Sequence, residues 1–300
     1  MAWYVSWRRV VLFIHIIYIY GIMMEYVRCL TIAGSDSGGG AGIQADIKTM
    51  SALGVYASAV ITAVTVQDTQ RVHAVHVVPA DIVEAQIRCV MDDIRPDAVK
   101  IGMLPDADCM KAVSTVLKPT AIKVVLDPVM VATSGDSLMQ RQALDVMKDV
   151  MLPLSYILTP NLSEAEMLSG ISITCFNDVD EAARCIAGMG ARRVLIKGGH
   201  FSGEAMEDRY YEDGILTDRL VTPTVHTGNT HGTGCTLSSA IASFLALGDD
   251  AADAVRHAKE YISQAIVAGA DIVTGHGHGP VNHLFEPCRM NVRNKDNDKI

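Results

Sequence analysis

Two glycine-rich runs carry the residue types that anion chemistry needs. In Asn229-Thr-His-Gly-Thr-Gly-Cys235, Gly232 and Gly234 free the backbone to turn several N–H groups one way, with Thr233 between them, and an amphipathic stretch begins near Leu237. Amides converging at a helix N-terminus, with the positive end of the helix dipole behind them, make an anion hole. Cys235 falls in the first turn of that helix, a placement that lowers a thiol pKa. A helix end contributes only about 0.3–1 kcal/mol, too little alone to ionise a thiol whose ordinary pKa is about 8.5. The earlier run Gly34-Ser-Asp-Ser-Gly-Gly-Gly-Ala-Gly42 holds five glycines in nine residues between a strand-like and a helix-like stretch. It either brings backbone amides close to a ligand or makes a tight strand-to-helix turn. It is not a dinucleotide fingerprint, because Ile43 stands where the third glycine would follow Gly38 and Gly40. Nor is it a Walker A loop, because Ile47 precedes Lys48-Thr49 where glycine is required.

A third group of residues ends successive β-prone runs: Gln67, Met103, Asp127 with Val129, Asn161 with Glu164, and Lys197 before Gly198-Gly199. A polar residue at a strand end is often only a loop residue. Their joint placement on one rim carries more weight, since open α/β sheets gather ligands at the carboxyl ends of their strands.

The elements that must hold these residues alternate. Strands are expected at Val27 to Ala33, Ser58 to Val64, Ala98 to Ile101, Lys123 to Leu126, Tyr156 to Thr159 and Arg193 to Ile196. Between them, Val83, Ile87, Val90 and Ile94 form one helical stripe; Leu237, Ile241 and Phe244 form another, and Val255, Ala258 and Ile262 a third. That rhythm predicts repeated βαβ units and a mostly parallel sheet. Asp213-Gly214, between β-prone residues, predicts a hairpin at the sheet edge.

Composition bounds the rest. With 300 residues, 49% of them apolar, the chain can bury one large core. We read residues 25–287 as a single domain, 288–300 as a polar, disordered tail and 1–24 as a non-structural extension. In that extension Arg8-Arg9 precedes an apolar run too short for the roughly 20 residues of a membrane span, and no small-residue cleavage site follows. A net charge of −9 without a basic block argues against nucleic acid and for a small-molecule partner. Seven scattered cysteines without a CxxC pair fit neither a disulfide framework nor a zinc site, which suits a reducing, cytoplasmic setting. His200, His226, His231, His276, His278 and His283 have no metal-ligand spacing, and methionines on helical stripes read as core filler.

The run from Leu30 to Thr49 resembles the amino-terminal segment of bacterial hydroxymethylpyrimidine/phosphomethylpyrimidine kinases. So do Val60-Ile-Thr-Ala63, Lys100-Ile-Gly-Met-Leu104, Asp127-Pro-Val-Met130, Thr159-Pro-Asn-Leu-Ser-Glu-Ala165, Lys197-Gly-Gly-His200, Thr230-His-Gly-Thr-Gly-Cys-Thr236 and Gly275-His-Gly-His-Gly-Pro280, in family order. The resemblance spans about Val27 to Phe285 and departs at Ser37-Gly38, where Pro-Ser or Ser-Ser is common. It implies a ribokinase-like αβα sandwich, a homodimer, no membrane association, and use of ATP and Mg²⁺ to phosphorylate a hydroxymethylpyrimidine and then its monophosphate. By the same resemblance Cys235 is the base and Lys197 faces the phosphates. Gln67, Gly34, Asp46, Met103 and Val129 line the pyrimidine pocket. Asn161, Glu164, Gly232, Thr233 and Gly234 serve the phosphates, and Glu164 and Asp127 the metal. The nearest alternative is a pyridoxal-type vitamin kinase. A non-catalytic pyrimidine sensor would lack the phosphate elements present here, and a nicotinamide oxidoreductase lacks its fingerprint.

Overall fold

A computed structural model describes residues 24–130, 143–199 and 205–294; residues 1–23 of the expected extension, 295–300 of the expected tail and His200 lie outside them. In chain order the elements are β1 (Met24–Tyr26), β2 (Arg28–Asp36), α1 (Gly42–Ala52), β3 (Tyr56–Gln67), β4 (Val72–Val77), α2 (Ala80–Asp93), β5 (Ala98–Ile101) and α3 (Ala107–Leu117). There follow β6 (Lys123–Leu126), α4 (Ala143–Val146) with a π-type turn Met147–Met151, β7 (Ile157–Leu158), α5 (Leu162–Ser169), α6 (Phe176–Gly188) and β8 (Arg193–Gly199). The chain continues through β9 (Ala205–Glu212), β10 (Ile215–Pro223), α7 (Thr233–Leu247), α8 (Ala251–Gly269) and β11 (Val292–Asn294).

Among the described residues, nine strands form one sheet in the order β10-β9-β8-β7-β6-β5-β2-β3-β4. The run from β3 through β2 to β8 is parallel, whereas β4, β9 and β10 pair antiparallel at the two edges. Central β2 is buried along nearly its whole length, as a strand covered on both faces must be. Two apolar cores result. One packs α2, α3, α5 and α6 on one face of the sheet, and the other packs α1, α7 and α8 on the opposite face, which gives the expected ribokinase-like αβα sandwich.

The edge hairpin is where the turn chemistry put it. Asp213 and Gly214 both have positive φ, 50° and 75°, as a two-residue hairpin turn requires. The opposite edge, β4, escaped the sequence reading because five of its six residues are exposed and leave no alternation to detect. The expected disordered tail is corrected for its described part. Val292–Asn294 pairs with Met24–Tyr26 in a small antiparallel sheet, so Met24, the last residue of the expected extension, and three residues of the expected tail belong to strands. A strand of three residues carries too short a pattern to stand out in a charged segment. Among the described residues no helix is long and apolar enough to cross a membrane.

Candidate active site

The carboxyl ends of β2, β3, β5, β6, β7 and β8 open on a cavity of about 810 Å³. Gly34, Gln67, Met103, Asp127, Val129, Asn161, Glu164, Lys197 and Gly232-Thr-Gly-Cys235 all line it, so the rim inferred from strand ends is one wall of one cavity. Asp46 does not line it. Fully buried on α1, its carboxylate accepts from Lys100 Nζ at 2.8 and 2.9 Å, from Thr31 Oγ1 at 2.6 Å and from Ser239 Oγ at 2.6 Å. An ionised lysine buried in the sheet requires such a partner, and Asp46 is spent on that pairing.

The second glycine run behaves as its pattern dictates. Gly232, at φ 79°, is the N-cap of α7. Thr233 N donates to Thr230 O and Thr236 N to Gly232 O, while the amides of Gly234 and Cys235 between them make no backbone bond among the described residues. Two such N–H groups at a helix N-terminus have the geometry to receive an anion. Cys235 is half-buried beside them. Its pKa departs from the helix-end expectation. Burial pushes the thiol up to about 11, with Asp46 and Asp127 adding to the rise and Lys100 opposing it.

Part of the first glycine run is a tight turn, in which Asp36 accepts from Gly38 N at 2.7 Å, Gly40 N at 3.1 Å and Ala41 N at 2.9 Å, while the Gly42 amide faces the Cys235 thiol on the cavity wall. Two glycines let this loop touch the second one. A Cβ on Gly232 would lie 1.8 Å from Gly40 O, and one on Gly40 would lie 2.4 Å from the His231 ring. His231 Nε2 closes the contact at 2.9 Å from Asp36 Oδ2. Neither Asp36 nor His231 stood out in the sequence, since the pairing joins residues 195 positions apart.

At the ends of β6 and β8, Lys197 Nζ donates to Asp127 Oδ1 at 2.8 Å, and Thr159 Oγ1 reaches the same oxygen at 3.1 Å. Although burial raises the Asp127 carboxyl, Lys197 and Lys100 outweigh it and hold the group below its usual range. Asn161 and Glu164 form a capping box on α5. Asn161 Oδ1 accepts from Glu164 N at 2.8 Å, and Glu164 Oε2 accepts from Asn161 N at 2.8 Å. The N-x-x-E spacing is the local signal for that box. Burial raises the Glu164 pKa to about 7 against the opposing pull of Lys197. At the far end, Asp208 accepts from Lys259 Nζ at 2.7 Å and from Gly198 N at 2.6 Å, beside Thr222–Val225.

Among the described residues no three His, Cys, Asp or Glu side chains gather as a metal cage. Mg²⁺ does not need one, since it is commonly held by one or two carboxylates together with phosphate oxygens. Asp127 and Glu164 are hard oxygen donors on the same cavity wall as Lys197, and they fit that ion.

A family model described as phosphomethylpyrimidine kinase matches residues 36–282. The chain is 48% identical over 258 residues to a hydroxymethylpyrimidine/phosphomethylpyrimidine kinase of Rhizobium meliloti, covering 85% of this chain and 96% of that protein. It is equally similar, at 48%, to the thiamine biosynthesis bifunctional protein ThiED of Geobacter sulfurreducens, but spans only 52% of that longer protein and 85% of itself. Among solved structures, a phosphomethylpyrimidine kinase from Clostridium difficile superposes with a TM-score of 0.70 at 43% identity, covering 80% of this chain and 99% of that one. A pyridoxal kinase from Staphylococcus aureus, in complex with pyridoxal, superposes at 0.79 with 33% identity, covering 90% of this chain and 100% of that one.

Proposed function

The chain belongs to the phosphomethylpyrimidine kinase family, and from that premise we propose that it transfers the γ-phosphoryl group of ATP to 4-amino-5-hydroxymethyl-2-methylpyrimidine and then to the resulting monophosphate, in thiamine biosynthesis. The observation that carries this reading is one cavity holding Gln67, Cys235 with the α7 anion hole, and the Lys197–Asp127 pair together. Phosphoryl transfer asks a protein mainly for alignment and charge stabilisation. Gln67 can pair with the ring's amino and nitrogen edge, because an amide both donates and accepts. Cys235 takes the hydroxymethyl proton, the Gly234 and Cys235 amides receive developing negative charge, and Lys197 steadies the phosphate oxygens. Asp127 and Glu164 would hold Mg²⁺, which when bound neutralises charge on the phosphates.

A pyridoxal side activity is a second reading, favoured by the closer superposition on the pyridoxal kinase fold. We place the protein in the cytoplasm as a homodimer. Exposed Val64 and Val66, on one face of the β3–β4 edge beside Ala74, give a second copy an apolar surface. The test is ADP release measured with hydroxymethylpyrimidine, its monophosphate and pyridoxal side by side. Turnover of both pyrimidines above pyridoxal is expected; turnover of pyridoxal alone would replace the main reading with the second, and turnover of none would end both.

A further inference from the structure

Two features of the sequence take no part in the chemistry above: the run Gly275-His-Gly-His-Gly-Pro280 and His231. The first is a strap. At one end it holds the tip of the β3–β4 hairpin, where His276 N and Gly277 N donate to Thr69 Oγ1 at 3.2 and 3.0 Å, and His278 N donates to Thr69 O at 2.8 Å. At the other end His231 N donates to Gly279 O at 3.1 Å. A Cβ on Gly277 would lie 2.1 Å from Thr69 O, so the strap can lie this close only as glycine. Gln67 therefore sits on a hairpin fastened through the strap to the loop that carries the anion hole.

The His231 side chain makes a second connection, from the α7 loop to the end of β2. Its Nε2 lies 2.9 Å from Asp36 Oδ2 and 3.5 Å from Gln67 Nε2. Asp36 is the acceptor in the first contact. Burial raises its carboxyl, but the bond from His231 and the amides of Ala41 and Gly38 outweigh it and leave the pKa below its usual value. With its Nε2 proton donated to Asp36, His231 cannot accept from Gln67 at the same nitrogen. The Gln67 amide hydrogens stay available to a ligand, while Thr65 Oγ1 lies 3.1 Å from Gln67 Oε1.

We propose that the Asp36–His231 pair is a positioning device for the phosphoryl transfer: it ties the end of β2 to the α7 loop, and Ser37, next to Asp36, holds the Gln67 backbone through its hydroxyl at 2.8 and 2.9 Å, so that Gln67 and Cys235 keep a fixed separation across the acceptor. The inference rests on the proposed roles of Gln67 and Cys235 at the acceptor. Both residues line the cavity, but the proposed chemistry gives neither of them a contact with the reacting atoms. Their effect is on alignment, where a misplacement of about 1 Å can cost about 10²-fold in rate.

The test is a double-mutant cycle on kcat/KM for the pyrimidine, using His231→Ala, Gln67→Leu and the double variant, with ADP affinity and the thermal midpoint measured for each. The cycle should be non-additive by about tenfold, since once the lock is lost Gln67 no longer has a fixed place to act from. His231→Gln, which can still donate to Asp36, should recover most of the loss in kcat, whereas a purely structural role would show in the midpoint and not in the cycle. Additive effects in folded variants, or no recovery by His231→Gln, overturn the proposal. If His231→Ala does not fold, the same cycle run with Asp36→Asn decides, and additivity there overturns it equally. An unchanged acceptor KM in Gln67→Leu overturns the pyrimidine role of Gln67 instead, an outcome the single variant reports separately from the cycle.

Discussion

Cys235 brings the competition of forces in this site down to one atom. The helix end and Lys100 favour the thiolate, while burial and the carboxylates of Asp46 and Asp127 oppose it and win, leaving the thiol near 11. On the proposed role the reactive form is a minor species at neutral pH. Because kcat/KM reports the free enzyme, it should climb roughly in proportion to hydroxide from pH 7 to about 9 without levelling, and a plateau below pH 8 would remove the thiolate from the mechanism. Cys235→Ala should lower kcat by about 10² to 10⁴-fold with acceptor Kd little changed, as when only a transition-state interaction is lost. Cys235→Asp should keep more activity than Ala, since a carboxylate also accepts a proton. A kcat within about threefold of wild type in folded Cys235→Ala would end the catalytic reading. Residues whose type announces chemistry, such as Cys235, Lys197 and Gln67, were legible in the sequence. Asp36 and His231 were not, because their meaning lies in a partner far along the chain. Asp46 was assigned to the pocket, although its buried partner Lys100 claims it.

At the scale of elements, legibility followed burial. Strands buried on both faces and helices with one apolar stripe declared themselves by period, as β2, α2 and α8 did. Exposed β4 and the three-residue β1 and β11 did not. The start of α5 could have been found from Asn161-x-x-Glu164, a capping box that also sets Glu164 in the cavity wall. That location has a thermodynamic consequence. The folded pKa of Glu164, about 7, lies above its ordinary value of 4.5, so the fold favours the protonated form. This contribution is fully present below about pH 4.5 and is lost as pH rises through 7. The difference amounts to about 3 kcal/mol. Glu164→Gln keeps the oxygen that caps α5 but has no charge to bury. In urea unfolding with EDTA present, wild type should therefore lose stability relative to Glu164→Gln between pH 5 and about 8. Parallel curves for the two proteins would mean that Glu164 is solvated in the folded state.

The molecule as a whole is closed by a segment whose composition suggested disorder. Beyond Pro287 the chain runs along the amino-terminal end of the sheet, where Cys288 N donates to Ala52 O at 2.7 Å, Asn291 N to Gly54 O at 2.7 Å and Val27 N to Asn291 O at 3.2 Å. Gly54 has φ +71°, and a Cβ there would lie 2.2 Å from Arg289 O, so this crossing needs glycine. Arg293 then pairs with Glu25 at 3.1 Å and with Asp97, while Arg28 reaches Glu25 at 3.2 Å, forming a charge cluster in which no member is more than about a third exposed. The segment is polar because it is held by hydrogen bonds and ion pairs while most of its side chains stay exposed, and composition alone cannot distinguish that from disorder. Each net hydrogen bond is worth about 0.5–1.5 kcal/mol, so the segment contributes on the order of 2–4 kcal/mol, or roughly 5–15 °C in a domain of this size. Ending the chain at Pro287 should lower the thermal midpoint by that amount while leaving ADP affinity within about twofold, because the cavity opens at the other end of the strands. Removing residues 2–23 should leave both quantities unchanged. A midpoint unaltered by the carboxyl-terminal cut would mean that the clasp does not hold in solution, and a loss of ADP binding at a temperature where the shortened chain is folded would mean that it reaches the site.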